Sequence, residues 1–269
     1  MDIKFTINGG DINCTKSGQG DGLLIALHGF TQSGLDFDAI AKIWENKFVI
    51  YAPDLAFHGK THWTKDNFTQ EDIQELILAI LKKENCISYH LLGHSLGGKL
   101  ILATLADLIH LPESIILIAP DGLATRRMLL PNLIPNFLKR SILQSNKRAL
   151  IITNIARFLH KLKWIDTFSI RYLNYNFKNK KRRERLLNTW LFSSNFRFNK
   201  SKLLIFLAKK QLPLFIFIGK KDRFITSKEI LKFAQKAPFI QVFEYDGKHR
   251  MDDEKMLKEI SQLTLPSDR

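Results

Sequence analysis

Short unbroken runs of apolar residues recur along most of the chain, and stretches with helical spacing of apolar positions separate them. Such runs are typical of strands buried on both faces of a sheet, whereas apolar residues three and four positions apart predict an amphipathic helix. The predicted strands are residues 4–10, 11–15, 22–27, 47–52, 88–92, 114–119, 213–218 and 239–245. The predicted helices are residues 35–45, 70–81, 96–109, 227–235 and 252–263.

This alternation predicts an α/β fold, with a mostly parallel sheet of eight strands that is covered by helices on both faces. The alternation stops after the strand 114–119, the sixth of the eight, and resumes with the strand 213–218. The intervening residues instead show amphipathic helical spacing. We therefore expect one core domain, residues 1–120 and 211–269, with a helical cap of residues 121–210 inserted after strand 6.

The positive charge of the chain is concentrated in the predicted cap. The 269 residues have a formal net charge of +15, and residues 121–210 contain 21 Lys and Arg residues against 3 Asp and Glu residues. The cap mixes these cations with aromatic and aliphatic residues, as helices on membrane surfaces do. An anionic membrane surface is therefore a candidate partner, although a solvated helix face is the simpler interpretation. The basic tract 178–185 lacks a recognition motif, so we expect no nucleic-acid partner.

The sequence also bears on the compartment of the protein. Residues 1–7 lack the long apolar core and the cleavage site of a secretory signal, and no apolar run has the length of a membrane span. The two cysteines, Cys14 and Cys86, are far apart, and neither has metal-ligand spacing. We therefore expect a cytoplasmic protein without a disulfide framework or a metal site.

A Gly-x-Ser-x-Gly sequence, residues 93–97, lies between a predicted strand and a predicted helix. In this context a sharp turn strains the backbone of the serine and exposes its hydroxyl at the top of the sheet. The glycines allow the strand and the helix to approach closely. The sequence therefore predicts Ser95 as a nucleophile.

A serine hydroxyl needs a base to take its proton, and the base needs a carboxylate to orient it. Asp222 follows the strand 213–218 and His249 follows the strand 239–245, so both leave the sheet at the edge where Ser95 lies. We predict His249 as general base and later general acid, and Asp222 as the carboxylate that orients it. Four nearby carboxylates compete for the role of Asp222: Glu244, Asp246, Asp252 and Asp253.

An oxyanion intermediate needs two aligned N–H donors. Leu96 follows the nucleophile at a helix N-terminus, whose dipole favours negative charge, and Phe30 lies in a loop after an earlier strand. We predict their two N–H groups as the oxyanion hole. Substrate contacts are predicted for residues around these groups: His28, Gly29, His94, Lys99 and Arg126. The two histidines are expected to pack loops rather than to act as catalysts.

Together these motifs resemble the α/β-hydrolase fold superfamily, here a serine hydrolase with a helical cap. Residues 28–30 are similar to its His-Gly oxyanion motif, and residues 93–97 to its nucleophile elbow. Residues 53–59 are similar to its P-D-x-x-G-x-G loop, except that Phe57 stands where the first glycine is common. Asp54 of this loop is expected to hold the loop in place.

The resemblance covers the core, residues 3–120 and 211–265, and the cap is not diagnostic. It implies hydrolysis of a carboxylic ester or a related acyl bond through a Ser-His-Asp triad and an acyl-enzyme. The implied partner is a small-molecule acyl or ester substrate, and neither a metal nor an organic cofactor is implied.

Other functions are open at this point. Residues 28–33 and the elbow also resemble the menaquinone-pathway lyase, although Lys99 stands where that family favours arginine. The C–C bond hydrolases of aromatic catabolism share the layout, and both classes would use the same triad on an anionic substrate. The alternative of another class is a non-enzyme that binds a membrane or a nucleic acid, and the complete triad argues against it.

Overall fold

The computed structural model describes residues 1–123 and 135–265. Its strands are β1 (Asp2–Ile7), β2 (Gly10–Ser17), β3 (Gly22–Leu27), β4 (Phe48–Pro53), β5 (His62–Trp63), β6 (His90–His94), β7 (Ser114–Ile118), β8 (Leu214–Gly219) and β9 (Ile240–Tyr245). Its α-helices are α1 (Asp38–Ile43), α2 (Gln70–Glu84), α3 (Leu96–Thr104), α4 (Asn136–Leu143), α5 (Asn146–Lys161), α6 (Thr167–Phe177), α7 (Lys180–Ser193), α8 (Lys200–Lys210), α9 (Ser227–Ala234) and α10 (Glu254–Ser261).

Eight strands form one continuous sheet in the order β1-β2-β4-β3-β6-β7-β8-β9, which confirms the predicted mostly parallel sheet. All pairs from β4 through β9 in this order are parallel, while β2 pairs antiparallel with β1 and β4. The structure adds the two-residue strand β5, which pairs with β2 through Gly10 and Asp11. A strand this short has no alternating pattern of its own, so the sequence did not predict it.

Helices cover both faces of the sheet, as predicted. Alternate residues of the central strands, such as Leu24, Ile116 and Phe217, cluster with Ile40 of α1 and Met256 of α10. The intervening residues of these strands are equally buried and point to the opposite face, because side chains alternate along a strand. The helix α3, which follows β6 in the chain, packs against β3, β6 and α2. The core is therefore a sheet between two helical layers.

Helix boundaries follow local capping chemistry. Thr69 accepts the N–H of Asp72 at the start of α2, and the Asp72 carboxylate accepts the Thr69 N–H at 2.8 Å, so the predicted start is found. The predicted helix 35–45 instead begins as a 3₁₀ turn, Gly34–Phe37, and the predicted helix 96–109 gives way to the 3₁₀ turn Leu105–Asp107.

The described residues fall into two compact units, one within Met1–Arg127 and Phe196–Arg269 and the other within Met128–Asn195. The first unit contains the sheet, α1–α3 and α8–α10. The second contains the four helices α4–α7. The predicted cap of residues 121–210 includes α8, whereas the compact helical unit does not.

Four loops that carry predicted site residues leave the sheet at one edge. They follow the carboxyl ends of β3, β6, β8 and β9, which are parallel members of the same sheet. In open α/β sheets this edge is where ligands bind. In the part of the chain that the structure describes, no helix is long and apolar enough to cross a membrane.

Candidate active site

Ser95 occupies the sharp turn between β6 and α3. Its φ of 48° and ψ of −108° place a non-glycine residue in a sparsely populated backbone region. The Ser95 N–H donates to Ile118 O at 2.9 Å, and its carbonyl accepts the N–H of Asp121 at 2.9 Å. These bonds to the segment around the end of β7 hold the strained turn in place, with the Ser95 side chain partly exposed.

Two glycines make the turn sterically feasible. A Cβ at position 97 would lie 1.9 Å from the carbonyl oxygen of Leu27, and one at position 93 would lie 2.7 Å from the Cα of Gly98. Any side chain at position 97 would push α3 away from β3. The close approach of helix and strand therefore depends on glycine at these positions.

Asp222 and His249 form a hydrogen-bonded pair. The Oδ2 atom of Asp222 lies 2.6 Å from Nδ1 of His249, and the Asp222 side chain is fully buried while the His249 side chain is 15% exposed. The other carboxylate oxygen accepts the N–H groups of Phe224 at 2.7 Å and Ile225 at 3.0 Å. The carboxylate is thus fixed by backbone donors, and His249 Nδ1 donates to it. This leaves Nε2 of His249 as the ring nitrogen available for proton transfer.

The loops that carry this pair are joined backbone to backbone. Lys221 N donates to Gly247 O at 2.9 Å, and Lys220 N donates to Tyr245 O at 2.9 Å. A Cβ on Gly219 would lie 2.5 Å from Gly247 O, so only glycine allows this approach. The pairing of Asp222 with His249 therefore follows from the way the ends of β8 and β9 pack.

His94 connects the turn at Ser95 to the loop after β3. Its Nδ1 donates to Oε1 of Gln32 at 2.6 Å, and the same oxygen accepts the N–H of Gly29 at 2.8 Å. Its ring lies 5.0 Å from the His249 ring between centroids. Burial, then the neighbouring His249 and His28, hold the pKa of His94 well below its usual range. His94 is therefore a neutral connector at ordinary pH.

The two predicted oxyanion donors flank this connection. Leu96 is the first residue of α3, so its N–H lies ahead of the hydrogen-bond pattern of the helix. Phe30 lies in the loop after β3, and a Cβ on the preceding Gly29 would lie 3.3 Å from the Cβ of Ser95. The loop that carries Phe30 thus runs beside the predicted nucleophile.

His28 is fully buried and is hydrogen-bonded to the loops after β3 and β4. Its Nε2 accepts the N–H of Leu55 at 2.9 Å, so its Nδ1 carries the proton and donates to Gly29 O at 2.7 Å. Both ring nitrogens are thus used by the backbone. The structure gives His28 the loop-packing position that the sequence favoured, rather than an open contact surface.

The loop after β4 is organised by Asp54. Its carboxylate accepts hydrogen bonds from Asn13 Nδ2 at 3.0 Å, Gly34 N at 2.8 Å and Lys60 N at 2.8 Å. Phe57, which replaces the usual glycine, has a φ of 67°. The glycine preference at this position therefore reflects a left-handed backbone, and this chain adopts that backbone with a phenylalanine.

The remaining predicted contacts divide into two groups. Lys99 lies one helical turn after Ser95 and is partly exposed, and its N–H donates to Ser95 O at 3.2 Å. Arg126 lies outside the described residues.

Two residues near the histidines, Gln32 and Phe224, were not predicted, although Gln32 falls within the loop 27–33 that the sequence singled out. The Phe224 ring lies 5.1 Å from the His249 ring.

Elsewhere, the described residues offer no comparable arrangement of catalytic groups. A cleft of about 700 Å³ lies at the amino ends of β8 and β9, lined by Phe215, Phe243 and the segment 259–265. Among the described residues that line it, Glu259 is the one titratable side chain, so this part of the cleft lacks the paired groups that acid–base or nucleophilic chemistry needs. Among the described residues no group of three His, Cys, Asp or Glu side chains could hold a metal ion.

Comparisons with known proteins agree with this architecture. A sequence model of the alpha/beta hydrolase family matches residues 24–260. Uncharacterized hydrolase YugF of Bacillus subtilis (strain 168) is 25% identical over 125 residues, which is 46% of this chain and 46% of that protein. The chain thus aligns with about half the length of this curated relative.

Solved structures share the fold over nearly the whole chain. A thermophilic esterase from Thermogutta terrifontis has a TM-score of 0.66 and 16% identity, over 97% of this chain and 96% of that one. Carboxylesterase CesB from Bacillus subtilis has a TM-score of 0.62 and 18% identity, over 97% of this chain and 89% of that one. At these identities the likeness establishes the fold alone.

Proposed function

The chain belongs to the alpha/beta hydrolase family, and on that premise we propose that it is a serine hydrolase that cleaves a carboxylic ester or a related acyl bond. The observation that carries the proposal is the 2.6 Å hydrogen bond between the buried Asp222 and His249, at the sheet edge where Ser95 holds its strained turn. The esterase and carboxylesterase names of the two structural neighbours support an ester substrate.

In the proposed reaction, Ser95 Oγ attacks the acyl carbon while Nε2 of His249 takes the hydroxyl proton. The electron pair of the carbonyl moves onto its oxygen. When the tetrahedral intermediate collapses, the alcohol leaves with the proton that His249 returns, and an acyl-enzyme remains. A water molecule, deprotonated by His249, then releases the acid and restores Ser95. Asp222 keeps the proton of the imidazole on Nδ1 throughout.

The negative charge on the intermediate needs donors that are already in place. The N–H of Leu96 is aided by the N-terminal end of α3, and the N–H of Phe30 is the proposed second donor. Gln32 supports this arrangement because its amide oxygen binds both Gly29 N and His94 Nδ1. The loop is thereby tied to the nucleophile turn, which limits the rearrangement that substrate binding would require.

A chain-length series of p-nitrophenyl esters tests the proposal. We expect turnover by the wild-type protein, and a loss of kcat on the order of 10⁴-fold or more in Ser95→Ala, because the nucleophile is removed. Ser201→Ala, at an exposed position in α8, is the matched control and should keep wild-type activity. Ester turnover that survives in Ser95→Ala contradicts the proposal. A folded wild-type protein that turns over no ester or thioester contradicts it as well.

A further inference from the structure

The helix α5 is oriented with its large apolar side chains outward. Ile151, Ile155, Phe158 and Leu162 are between 48% and 60% exposed, and their spacing of four, three and four residues places them on one stripe. The buried face of the same helix carries the small residues Ala149, Thr153 and Ala156. This is the reverse of a helix that packs its apolar face into a core. We refer to Ile151, Ile155, Phe158, Leu162 and Trp164 as the α5 surface.

Trp164 extends the stripe beyond the end of the helix. The backbone N–H of Trp164 donates to Leu159 O at 3.0 Å, and the preceding residue, Lys163, has a left-handed φ of 61°. The chain therefore turns at a defined point. The Trp164 side chain is 78% exposed. The other three tryptophans of the chain, at positions 44, 63 and 190, are buried. An aromatic side chain with a polar N–H that is left this open is typical of a position at a membrane–water interface.

Cations border the α5 surface. Lys147, Arg148, Lys161 and Lys163 are all exposed, on or next to the same helix. Residues 135–195 contain two acidic side chains, and both have local partners: Asp166 accepts Ser169 N at 2.9 Å, and Glu184 lies 3.8 Å from Lys180 Nζ. The apolar stripe therefore lies in a field of positive charge.

We propose that the α5 surface docks onto an anionic lipid membrane. Lysine and arginine are attracted to anionic headgroups, while aliphatic and aromatic side chains enter the boundary between headgroups and acyl chains. A second copy of this chain is a poorer occupant, because its own cations would oppose those that border the stripe. The proposal goes beyond the hydrolase function and does not depend on it, since docking and ester turnover are measured separately.

Flotation with vesicles tests the proposal directly. The full-length protein is mixed with vesicles of phosphatidylcholine alone or with about 30% phosphatidylglycerol, at low salt and at about 0.5 M salt. We expect at least about tenfold tighter binding to the anionic vesicles, weakened by salt because the cations contribute. Equal binding to both vesicle types, or no binding to either, overturns the proposal.

Trp164 supplies an internal reporter. On docking, its emission should shift to shorter wavelength as the indole leaves water, and Trp164→Phe should bind vesicles but lose the shift. A shift that survives in Trp164→Phe would arise from the buried tryptophans, and it would contradict docking through this surface.

Paired variants distinguish vesicle binding through the α5 surface from nonspecific hydrophobic binding. The double variant Phe158→Ser with Trp164→Ser should weaken vesicle binding at least about tenfold while keeping ester turnover, because both side chains are exposed. The matched control is Ile109→Ser with Ile205→Ser, two apolar residues that are 64% and 69% exposed in the sheet-containing unit. Equal vesicle binding by the two double variants overturns the proposal. A dimer in sedimentation velocity that the first double variant abolishes would instead make this surface an interface between copies.

Discussion

Among the five carboxylates that the sequence offered as partners of His249, Asp222 is the one in hydrogen-bond contact with it. Asp222 has a fully buried side chain held by two backbone N–H groups. Asp246, three residues before His249, is instead half-exposed and pairs with Lys221 at 2.8 Å. Chain order and strand ends favoured Asp222 over the other four carboxylates, because Asp222 and His249 follow neighbouring parallel strands.

We predict that Asp222→Asn lowers kcat by about 10⁴-fold with little change in fold. The asparagine can still accept the two backbone N–H groups through Oδ1, but its amide group would donate to His249 Nδ1 and favour the wrong tautomer. Steady-state kinetics on an ester substrate measures the effect. Asp246→Asn is the control and should stay near wild type. Comparable losses in the two variants would contradict the assigned role of Asp222.

At the scale of elements, loops are joined through single polar groups. The Asp54 carboxylate joins β2, the turn before α1 and the loop after β4 through three hydrogen bonds. A Cβ at position 59 would lie 2.2 Å from this carboxylate, and Gly59 itself has a φ of 52°. Glycine at position 59 and aspartate at position 54 are thus required together.

Replacing Asp54 by asparagine should lower the free energy of unfolding by about 3 kcal/mol. One carboxylate oxygen becomes an amide nitrogen that faces N–H donors, so charge-assisted hydrogen bonds are lost and buried donors are left unsatisfied. Urea unfolding measures the difference. Asp21→Asn, at an exposed position, should change stability by less than about 0.5 kcal/mol. An Asp54→Asn protein as stable as wild type would show that the three hydrogen bonds do not hold the loops.

The sequence predicted elements with a strong local pattern and missed those without one. The buried strands, the elbow at Ser95 and the capped start of α2 all have signals within a few residues. Strand β5 depends on pairing with a distant segment. The left-handed backbone at Phe57 could be suspected only from the comparison with the P-D-x-x-G-x-G loop, in which a glycine is common at this position. The outward stripe of α5 could not be predicted, because helical periodicity identifies an apolar face but not what that face contacts.

For the molecule as a whole, burial of titratable side chains links stability to pH. Burial, followed by the charge of Asp54, raises the pKa of the Cys14 thiol far above its ordinary value of 9.0. As pH rises past 9.0, the unfolded chain releases this proton while the folded protein keeps it. The folded state then binds more protons than the unfolded state, so stability falls with rising pH.

We predict that Cys14→Ala loses this contribution to the alkaline fall in stability. At neutral pH the variant should be less stable by about 1 kcal/mol, because a small cavity replaces the sulfur. The difference should shrink by about 1.4 kcal/mol per pH unit above about pH 9. Chemical unfolding at pH values between about 7 and about 11 measures it. Cys86→Ala is the comparison: burial and Glu84 also raise the pKa of this less buried thiol, so its alkaline change should have the same direction but be smaller. A difference that is independent of pH would contradict the account.

The distribution of charge and apolar surface is also a property of the whole molecule. The excess of Lys and Arg was evident from the sequence, but its relation to an exposed apolar stripe required the folded helices α4–α7. The same limit applies to the site. Motif order indicated which residues should meet. The hydrogen bonds of Gln32 to Gly29 and His94, and the Phe224 ring 5.1 Å from the His249 ring, depend on how the loops fold. The catalytic roles of Ser95, Asp222 and His249 stay predictions.

The most direct test of those roles is labelling of the folded protein with a fluorophosphonate, followed by mass spectrometry of the adduct. The account predicts one adduct on Ser95, none in Ser95→Ala, and a rate reduced by at least about 10³-fold in His249→Ala, because the serine is activated by that base. Heat-unfolded protein should not be labelled. An adduct on another residue, a Ser95 adduct that forms as fast without His249, or no adduct on the folded protein would contradict an activated serine at this site.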